Sequence, residues 1–209
     1  MKTKNKALLL SLCAVLLVAA SVLGTMAYLT SQAAVTNTFS IGSVAMTLDE
    51  QDVKPDGTKD TDVRVSENTY HLLPGHEYIK DPIIHIDTTS ESCWVFVKVE
   101  NGIDAYEAET TTGEDTYTDI VGQILANGWT ALEGVTNVYY KEYTKGQEDK
   151  DLEVFQEFKI ADNAESVNGW SDISSQNTKI YVTGYAVQKD GFDTALKAWN
   201  ATFGANIEG

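Results

Sequence analysis

Residues 94–99 read Trp-Val-Phe-Val-Lys-Val, and this short stretch decides the fold class. Its three valines alternate with tryptophan, phenylalanine and lysine, and a period of two residues is that of a β-strand. The Asn101-Gly102 pair that follows is a turn signal, so it ends the strand. The stretch therefore predicts a buried strand with one aliphatic and one largely aromatic face.

Several other segments share the extended pattern, and they are joined by turn signals. They are residues 44–48, 77–87, 128–133, 136–143, 152–160 and 178–188. The last of them is apolar on both faces, which predicts a central strand. The charge-rich residues 49–69 contain Pro-Asp-Gly, so we expect an exposed loop there, with a short strand at most around Val63 and Val65. Seven or eight short strands predict a mostly β fold, an antiparallel β-sandwich.

Two short helices complete the prediction. An apolar stripe at helical spacing runs from Tyr117 to Leu125, with a capping pattern at Thr116 and Asp119 and a terminating Gly128. A second stripe near the C-terminus centres on Trp199. The predicted core consists of apolar strand residues: Val95, Val97, Val99, Leu152, Val154, Phe158, Ile180 and Val182.

The N-terminus has the pattern of an export signal. Three lysines precede an apolar stretch, and small residues follow it at Thr25 and Ala27, which predicts cleavage between Ala27 and Tyr28. An uncleaved anchor is the alternative, because the apolar stretch is just long enough to span a membrane. We therefore expect a signal peptide at 1–27, an N-terminal arm at 28–40 and a β-sandwich domain at 41–209.

The composition limits the possible partners. The chain has 15 Lys and Arg against 31 Asp and Glu, a formal net charge of −16. Such a surface repels nucleic acid and anionic lipid, so we expect neither partner, and contact with a membrane only before cleavage. Only Cys93 remains after removal of the export segment, which leaves no internal disulfide and predicts a small buried side chain.

No catalytic residue is predicted. The three histidines, His71, His76 and His85, do not form His-Glu-x-x-His, and the chain has no Gly-x-Ser-x-Gly, phosphate-binding glycine loop or Cys-x-x-Cys. The missing motifs favour a protein that is not an enzyme.

One acidic segment suggests a cation site. Carboxylates at alternating positions are suitable calcium ligands, although their spacing breaks the EF-hand pattern and Lys59 intrudes. The alternative is a solvated loop. The candidate ligands are Asp49, Asp52, Asp56, Asp60 and Asp62.

Three stretches together resemble the TasA/camelysin family of exported proteins. The first runs from Gly24 through residues 37–48, where a cleavage region leads into a first strand; the others are residues 73–86 and 180–192. His76 stands where the family pattern has an acid. The resemblance implies a jelly-roll-like β-sandwich, processing by a SipW-type signal peptidase, and a role in the extracellular matrix or on the surface of a Gram-positive bacterium. Some relatives are described as metallopeptidases, but the zinc motif is absent here.

The arm itself favours self-association. Residues 28–40 carry no charge and contain strand formers at Val35, Thr36, Thr38 and Phe39, so they are suited to pair with a sheet edge of another copy. Pairing within the same subunit is the alternative for the arm. A monomeric surface module that binds a ligand, such as a glycan, is the alternative function. Its candidate aromatic residues are Tyr106, Trp129 and Trp170.

Overall fold

The structure is a computed structural model that describes residues 6, 12–13, 15–17, 43–108, 119–167, 169–170, 173 and 179–204. The chain divides into two units, Met1–Ile41 and Gly42–Gly209. In the first unit, the described residues are helical. Across the described ranges, no helix combines the length and apolar character needed to cross a membrane. The predicted cleavage site and the arm at 28–40 lie outside the described residues.

The second unit is built from antiparallel strands in three sheets. The first sheet has the order β2-β1-β4-β8, the second β10-β5-β7-β6, and the third pairs β3 with β9. The strands are β1 (Met46–Val53), β2 (Lys59–Val65), β3 (Glu77–Ile79), β4 (Ile83–Ile86), β5 (Cys93–Asn101), β6 (Thr130–Ala131), β7 (Val138–Tyr143), β8 (Asp151–Glu153), β9 (Glu157–Lys159) and β10 (Ile180–Gln188). The predicted class, a mostly β antiparallel sandwich, is confirmed.

The two larger sheets share one core. The valines of β5 face the first sheet, where they pack in one cluster with Ile84 of β4 and Leu152 of β8. Phe158 of the third sheet joins the same cluster and stacks on Tyr78, with 5.0 Å between the ring centroids. The strand periodicity therefore predicted the inner face of β5 correctly.

A C-terminal helix, α2 (Ala195–Thr202), covers the opposite face of the second sheet. Its Trp199 packs on Phe96 of β5, 5.1 Å between ring centroids, within a second apolar cluster that also contains Trp94. The side chain of Thr194 caps the helix by accepting from the backbone N–H of Lys197. β5 is thus buried on both faces, as its sequence indicates.

The predicted loop at 49–69 is partly correct: the strand expected around Val63 and Val65 is present, but residues 49–53 also belong to a strand. β1 continues to Val53, and β2 returns from Lys59, with the turn closed by a hydrogen bond from Lys54 N to Thr58 O. Gly57 supports this turn with a positive φ of 82°. Four of the charged residues of this segment lie on the solvent-exposed strand β2, and three others lie at the end of β1.

Two predicted long strands are each divided in two. Residues 77–87 form β3 and β4, which belong to different sheets, and Pro82 lies between them, where the lack of an N–H prevents continued pairing. Residues 152–160 likewise form β8 and β9. The predicted strand at 128–133 is reduced to the two residues of β6. These breaks allow a small third sheet to close one end of the core.

The internal helix is shorter than predicted. α1 (Ile120–Ala126) begins at Asp119, whose side chain accepts from Gly122 N at 2.7 Å, and Gly128 follows it with a positive φ of 81°. Asp119 is therefore the N-cap itself rather than the third residue of a capping box, while Thr116 lies outside the described residues. Ile120 and Ile124 anchor the helix in the core.

Candidate functional site

Among the strands that the structure describes, β10 lies at one edge of the second sheet rather than at the predicted central position. Among the described residues this nine-residue strand pairs with β5 alone. Its sequence, Ile-Tyr-Val-Thr-Gly-Tyr-Ala-Val-Gln, contains no charged side chain. A long, uncharged edge strand is an available template for pairing with another chain.

The hydrogen-bond register shows which backbone groups face the open side of β10. Gly102 N donates to Lys179 O, and Lys189 N donates to Ser92 O, so odd-numbered residues of this strand pair with β5. In an antiparallel ladder the intervening residues direct their N–H and C=O groups away from that partner. Those residues are Ile180, Val182, Gly184, Ala186 and Gln188.

Three of these residues, Ile180, Val182 and Ala186, direct their side chains into the sandwich, where they are only half-buried. Opposite them on β1, Met46 and Leu48 are also half-buried. Gly184 marks a close approach of the two sheets, because a Cβ built on it would lie 3.1 Å from Met46 Cε and 3.2 Å from Ile84 Cδ1. The two sheets are therefore in contact at Gly184, while the apolar side chains before and after it on β10 remain half-buried along the edge of the sandwich.

The other sheet edges are less suited to accept a strand. β2 alternates charged residues along its length, and charges protect an edge against added strands. β6 has two residues and β8 has three, too short for an extended ladder. Within the described residues, β10 is the long uncharged edge of the two larger sheets.

A cleft of about 530 Å³ adjoins the start of β10. One wall is Ile180 and Val182, and Leu48 of β1 lies among the apolar side chains opposite. At the rim, Tyr181 is 53% exposed, and Lys179 Nζ lies 5.8 Å from the centroid of its ring. The cleft therefore lies beside the half-buried side chains at the start of the edge strand.

A buried ion pair lines this cleft. Lys80 Nζ donates to Glu50 Oε2, and the two residues are only 8% and 5% exposed. The other carboxylate oxygen, Oε1, accepts from Asn68 Nδ2 at 2.9 Å. Removing either charged partner would leave the other charge buried and uncompensated, so the pair is structurally important.

A second charge network lies around Asp49. Its Oδ1 accepts from Arg64 Nε and lies 3.0 Å from His85 Nε2, while Arg64 Nη1 donates to Asp81 at 2.9 Å. Burial alone raises the pKa of Asp49, but the hydrogen bonds from Arg64 and His85 outweigh it, so the pKa is lowered. The network links β1, β2 and β4 and leads into the cleft, since Asp49 also lines it.

The five proposed calcium ligands are separated in the structure. Asp49 is engaged by Arg64, Asp52 accepts from Thr61, Asp56 accepts from Thr58, and Asp62 pairs with Lys59 at 2.6 Å. Asp60 is exposed on β2. Among the described residues, no three His, Cys, Asp or Glu side chains converge where they could hold a metal ion.

The three histidines and Cys93 differ in how far they are exposed to solvent. His71 and His76 are exposed, whereas His85 is half-buried between Asp49 and Asp151. Cys93 is fully buried, and burial raises the pKa of its thiol to about 11, so the predicted apolar role fits its position.

The aromatic residues considered for ligand binding are not exposed platforms. Trp129 and Tyr106 are buried, and Trp170 packs against the core. The arm residues Val35, Thr36, Thr38 and Phe39 and the cleavage residues Thr25, Ala27 and Tyr28 lie outside the described residues.

Sequence reasoning missed both the open edge and the buried pair. An uncharged strand is typical of the centre of a sheet, so nothing local marked β10 as an edge. Glu50 and Lys80 lie 30 positions apart, and no short motif links them.

The chain matches no family of known proteins, no curated protein and no solved structure.

Proposed function

We propose that this protein is a secreted, non-catalytic structural protein of the extracellular matrix or cell surface, and that it assembles by β-strand addition. The observation that carries the proposal is the edge strand β10: within the described residues it pairs with β5 alone, and it is uncharged, nine residues long and lined by half-buried apolar side chains. An added strand would satisfy the outward backbone groups of Ile180, Val182 and Gly184. It would also cover half-buried apolar side chains, which adds a hydrophobic gain.

The donor strand is the N-terminal arm of another copy. Residues 28–40 contain no charge and include strand-forming Val35, Thr36, Thr38 and Phe39. Cleavage after Ala27 by a SipW-type signal peptidase frees this arm from the export segment, so processing itself permits assembly. The resemblance of residues 24–48 to the TasA/camelysin family supports export and a matrix role in a Gram-positive bacterium.

The surface charge makes such directed pairing necessary. Cleavage after Ala27 removes three lysines and leaves 12 Lys and Arg against 31 Asp and Glu, a net charge of −19. Copies with this charge repel one another, so main-chain pairing at a defined edge must overcome the repulsion. Salt shortens the range of the repulsion, with a Debye length of about 8 Å at physiological ionic strength. Assembly is therefore expected to strengthen with added salt.

The decisive experiment compares the mature protein with a variant that lacks residues 28–38. Size-exclusion chromatography and electron microscopy at high salt should show oligomers or fibres for the mature protein and a monomer for the deletion. Equal unfolding midpoints for the two monomers would show that the deletion leaves the fold intact. Fibres from the deletion variant would exclude the arm as donor.

The cleft supports a second candidate, a monomeric module that binds a small ligand. Its volume of about 530 Å³ is within the range of ligand pockets, and exposed Tyr181 lies at its rim. A mature protein that stays monomeric under every condition of the same experiment would favour this alternative.

A further inference from the structure

We propose that Lys80 and Asn68 become joined by a covalent bond. The Lys80 amine attacks the side-chain amide of Asn68, the amide nitrogen leaves as ammonium, and Glu50 carries the protons between the two groups. The product is a side-chain amide that cross-links the chain to itself. All three residues line the cleft at the start of β10. This inference goes beyond assembly and does not depend on strand addition.

One carboxylate holds both reacting groups. Lys80 Nζ donates to Glu50 Oε2, while Asn68 Nδ2 donates to Glu50 Oε1 at 2.9 Å. The nitrogen that attacks and the nitrogen that leaves are therefore bound to the two oxygens of the same group. Holding two reactants side by side makes the step unimolecular, and this removes much of the entropic part of its barrier.

Burial favours the proton transfer that the attack requires. Glu50 and Lys80 are both buried. Two charges are costly to keep out of water, and a proton passed from Lys80 to Glu50 converts them into a neutral amine and a carboxylic acid. The neutral amine has the free lone pair of a nucleophile, so the adjacent carboxylate activates Lys80 as a general base.

The amide of Asn68 is held and polarised for attack. Its Oδ1 accepts from the backbone N–H of Val53 at 3.0 Å, and its Nδ2 also donates to Gln51 O at 2.7 Å. These contacts with β1 fix the orientation of the amide. The N–H of Val53 points at the oxygen on which negative charge develops as the amine adds, and a donor in that position stabilises the tetrahedral intermediate.

The reaction balances without any added reagent. The lone pair of Lys80 Nζ forms the bond to Asn68 Cγ, and the electron pair of the Cγ–Nδ2 bond departs with Nδ2. Nζ keeps one of its protons, and the other two pass by way of Glu50 to the leaving nitrogen. Glu50 ends as a carboxylate, and the cleft lets ammonium escape to solvent. The new amide can still donate to Glu50 and accept from Val53 N.

The cross-link would give the domain a covalent closure of a kind that its cysteines do not supply. Both Cys13 and Cys93 are free. The new bond joins the segment after β2 to the segment between β3 and β4, and the closed loop contains Tyr78 of the core. A link between two positions restricts the unfolded chain, which stabilises the fold, as a disulfide does.

The test is mass spectrometry of the folded protein. Trypsin should fail to cut after Lys80, because an acylated lysine carries no charge. It should therefore release residues 65–98 as one peptide, lighter than its sequence by one ammonia molecule. Further cleavage after Glu77 should leave the fragments that carry Asn68 and Lys80 joined. That result excludes loss of ammonia by cyclisation at Asn68 alone, which would leave the fragments separate.

Three variants separate the roles of the reacting groups. Lys80→Arg keeps the ion pair without an amine nucleophile, Asn68→Ala removes the amide, and Glu50→Gln cannot accept the proton. Each should release residues 65–80 as a separate peptide without loss of ammonia, and each should have a lower Tm than the wild type. Asn127→Ala is the matched control, because Asn127 likewise donates to a carboxylate, Glu153 Oε1 at 3.1 Å. It should still form the cross-link.

Two results would overturn the proposal. One is a folded wild-type protein that, after prolonged incubation, still releases residues 65–80 at full mass. The other is a joined peptide in the Lys80→Arg variant. Neither result bears on strand addition, which is measured by assembly. Circular dichroism shows whether each variant is folded, and the wild-type measurement decides the matter even if a variant is not.

Discussion

Gly184 of β10 lies directly against Met46 of β1, so closely that a Cβ at Gly184 would be 3.1 Å from Met46 Cε. The neighbours at this point are flexible side-chain ends, so Gly184→Ala should be accommodated. Gly184→Val should force the two sheets apart and cost about 1–3 kcal/mol, as overpacking does. Urea unfolding measures the difference, with Thr183→Val on the exposed face as control. An unchanged midpoint for Gly184→Val would show that the sheets do not meet here.

One inward charge should block the edge of β10 that has no partner strand among the described residues. Val182→Lys should abolish assembly, because a lysine directed between the sheets prevents an added strand from burying its apolar face. The fold should survive, since the ammonium can extend out of the open cleft. Thr183→Lys changes the adjacent, exposed position and should assemble normally. Equal assembly by both variants would place the contact elsewhere.

Truncating a fully buried residue and truncating a residue at the sheet edge should affect monomer stability and assembly differently. Val97 is fully buried, so Val97→Ala should destabilise the monomer by about 1–4 kcal/mol. Ile180 is half-buried beside the open edge. Ile180→Ala should therefore lower the free energy of monomer unfolding less than Val97→Ala does. It should also weaken assembly more than Val97→Ala does. Chemical denaturation and sedimentation of both variants measure the two effects, and a larger unfolding cost for Ile180→Ala would contradict the open edge.

The pH dependence of stability should include a contribution from His85. Burial lowers the pKa of His85, but hydrogen bonds to Asp151 at 2.7 Å and Asp49 at 3.0 Å outweigh it, so the pKa is raised above 6.5. The interaction of protonated His85 with the two carboxylates stabilises the fold fully below pH 6.5, the ordinary pKa of the group. This contribution is lost as the pH rises through the raised pKa of the folded state. In the His85→Gln variant, the unfolding midpoint should fall less between neutral and mildly alkaline pH than it does in the wild type. His76→Gln, at an exposed position, is the control.

Export and cleavage can be tested directly on secreted material. N-terminal sequencing should begin at Tyr28, because Thr25 and Ala27 supply the small residues that a signal peptidase requires. Replacing Ala27 with a bulky residue, Ala27→Phe, should retain the chain in the membrane fraction with Met1 intact. Detection of Met1 in the wild-type membrane fraction and nothing in the medium would support an uncleaved anchor instead.

Local periodicity was sufficient to predict several elements. The alternation in 94–99 predicted the valine face of β5 that packs in the core, and the stripe near Trp199 predicted α2. The contact of the aromatic face with Trp199 was seen only in the structure. The alternation and the stripe are local signals, because a strand or helix face is set by the spacing of residues along the chain. Charge, in contrast, misled the prediction at β2, since a charged pattern suits an exposed edge strand as well as a loop.

The sequence by itself determined the class of the fold, the inner and outer faces of its main strand, and the lack of any known catalytic motif. Only the tertiary structure decided that β10 lies at the edge of the described sheet, because burial under α2 on one face and β1 on the other makes an edge strand as apolar as a central one. It also decided that Lys80 meets Glu50, a pair brought together by the arrangement of three sheets. The physical reason is that side-chain periodicity is local, whereas strand neighbours and buried ion pairs are chosen by contacts between residues far apart in the chain.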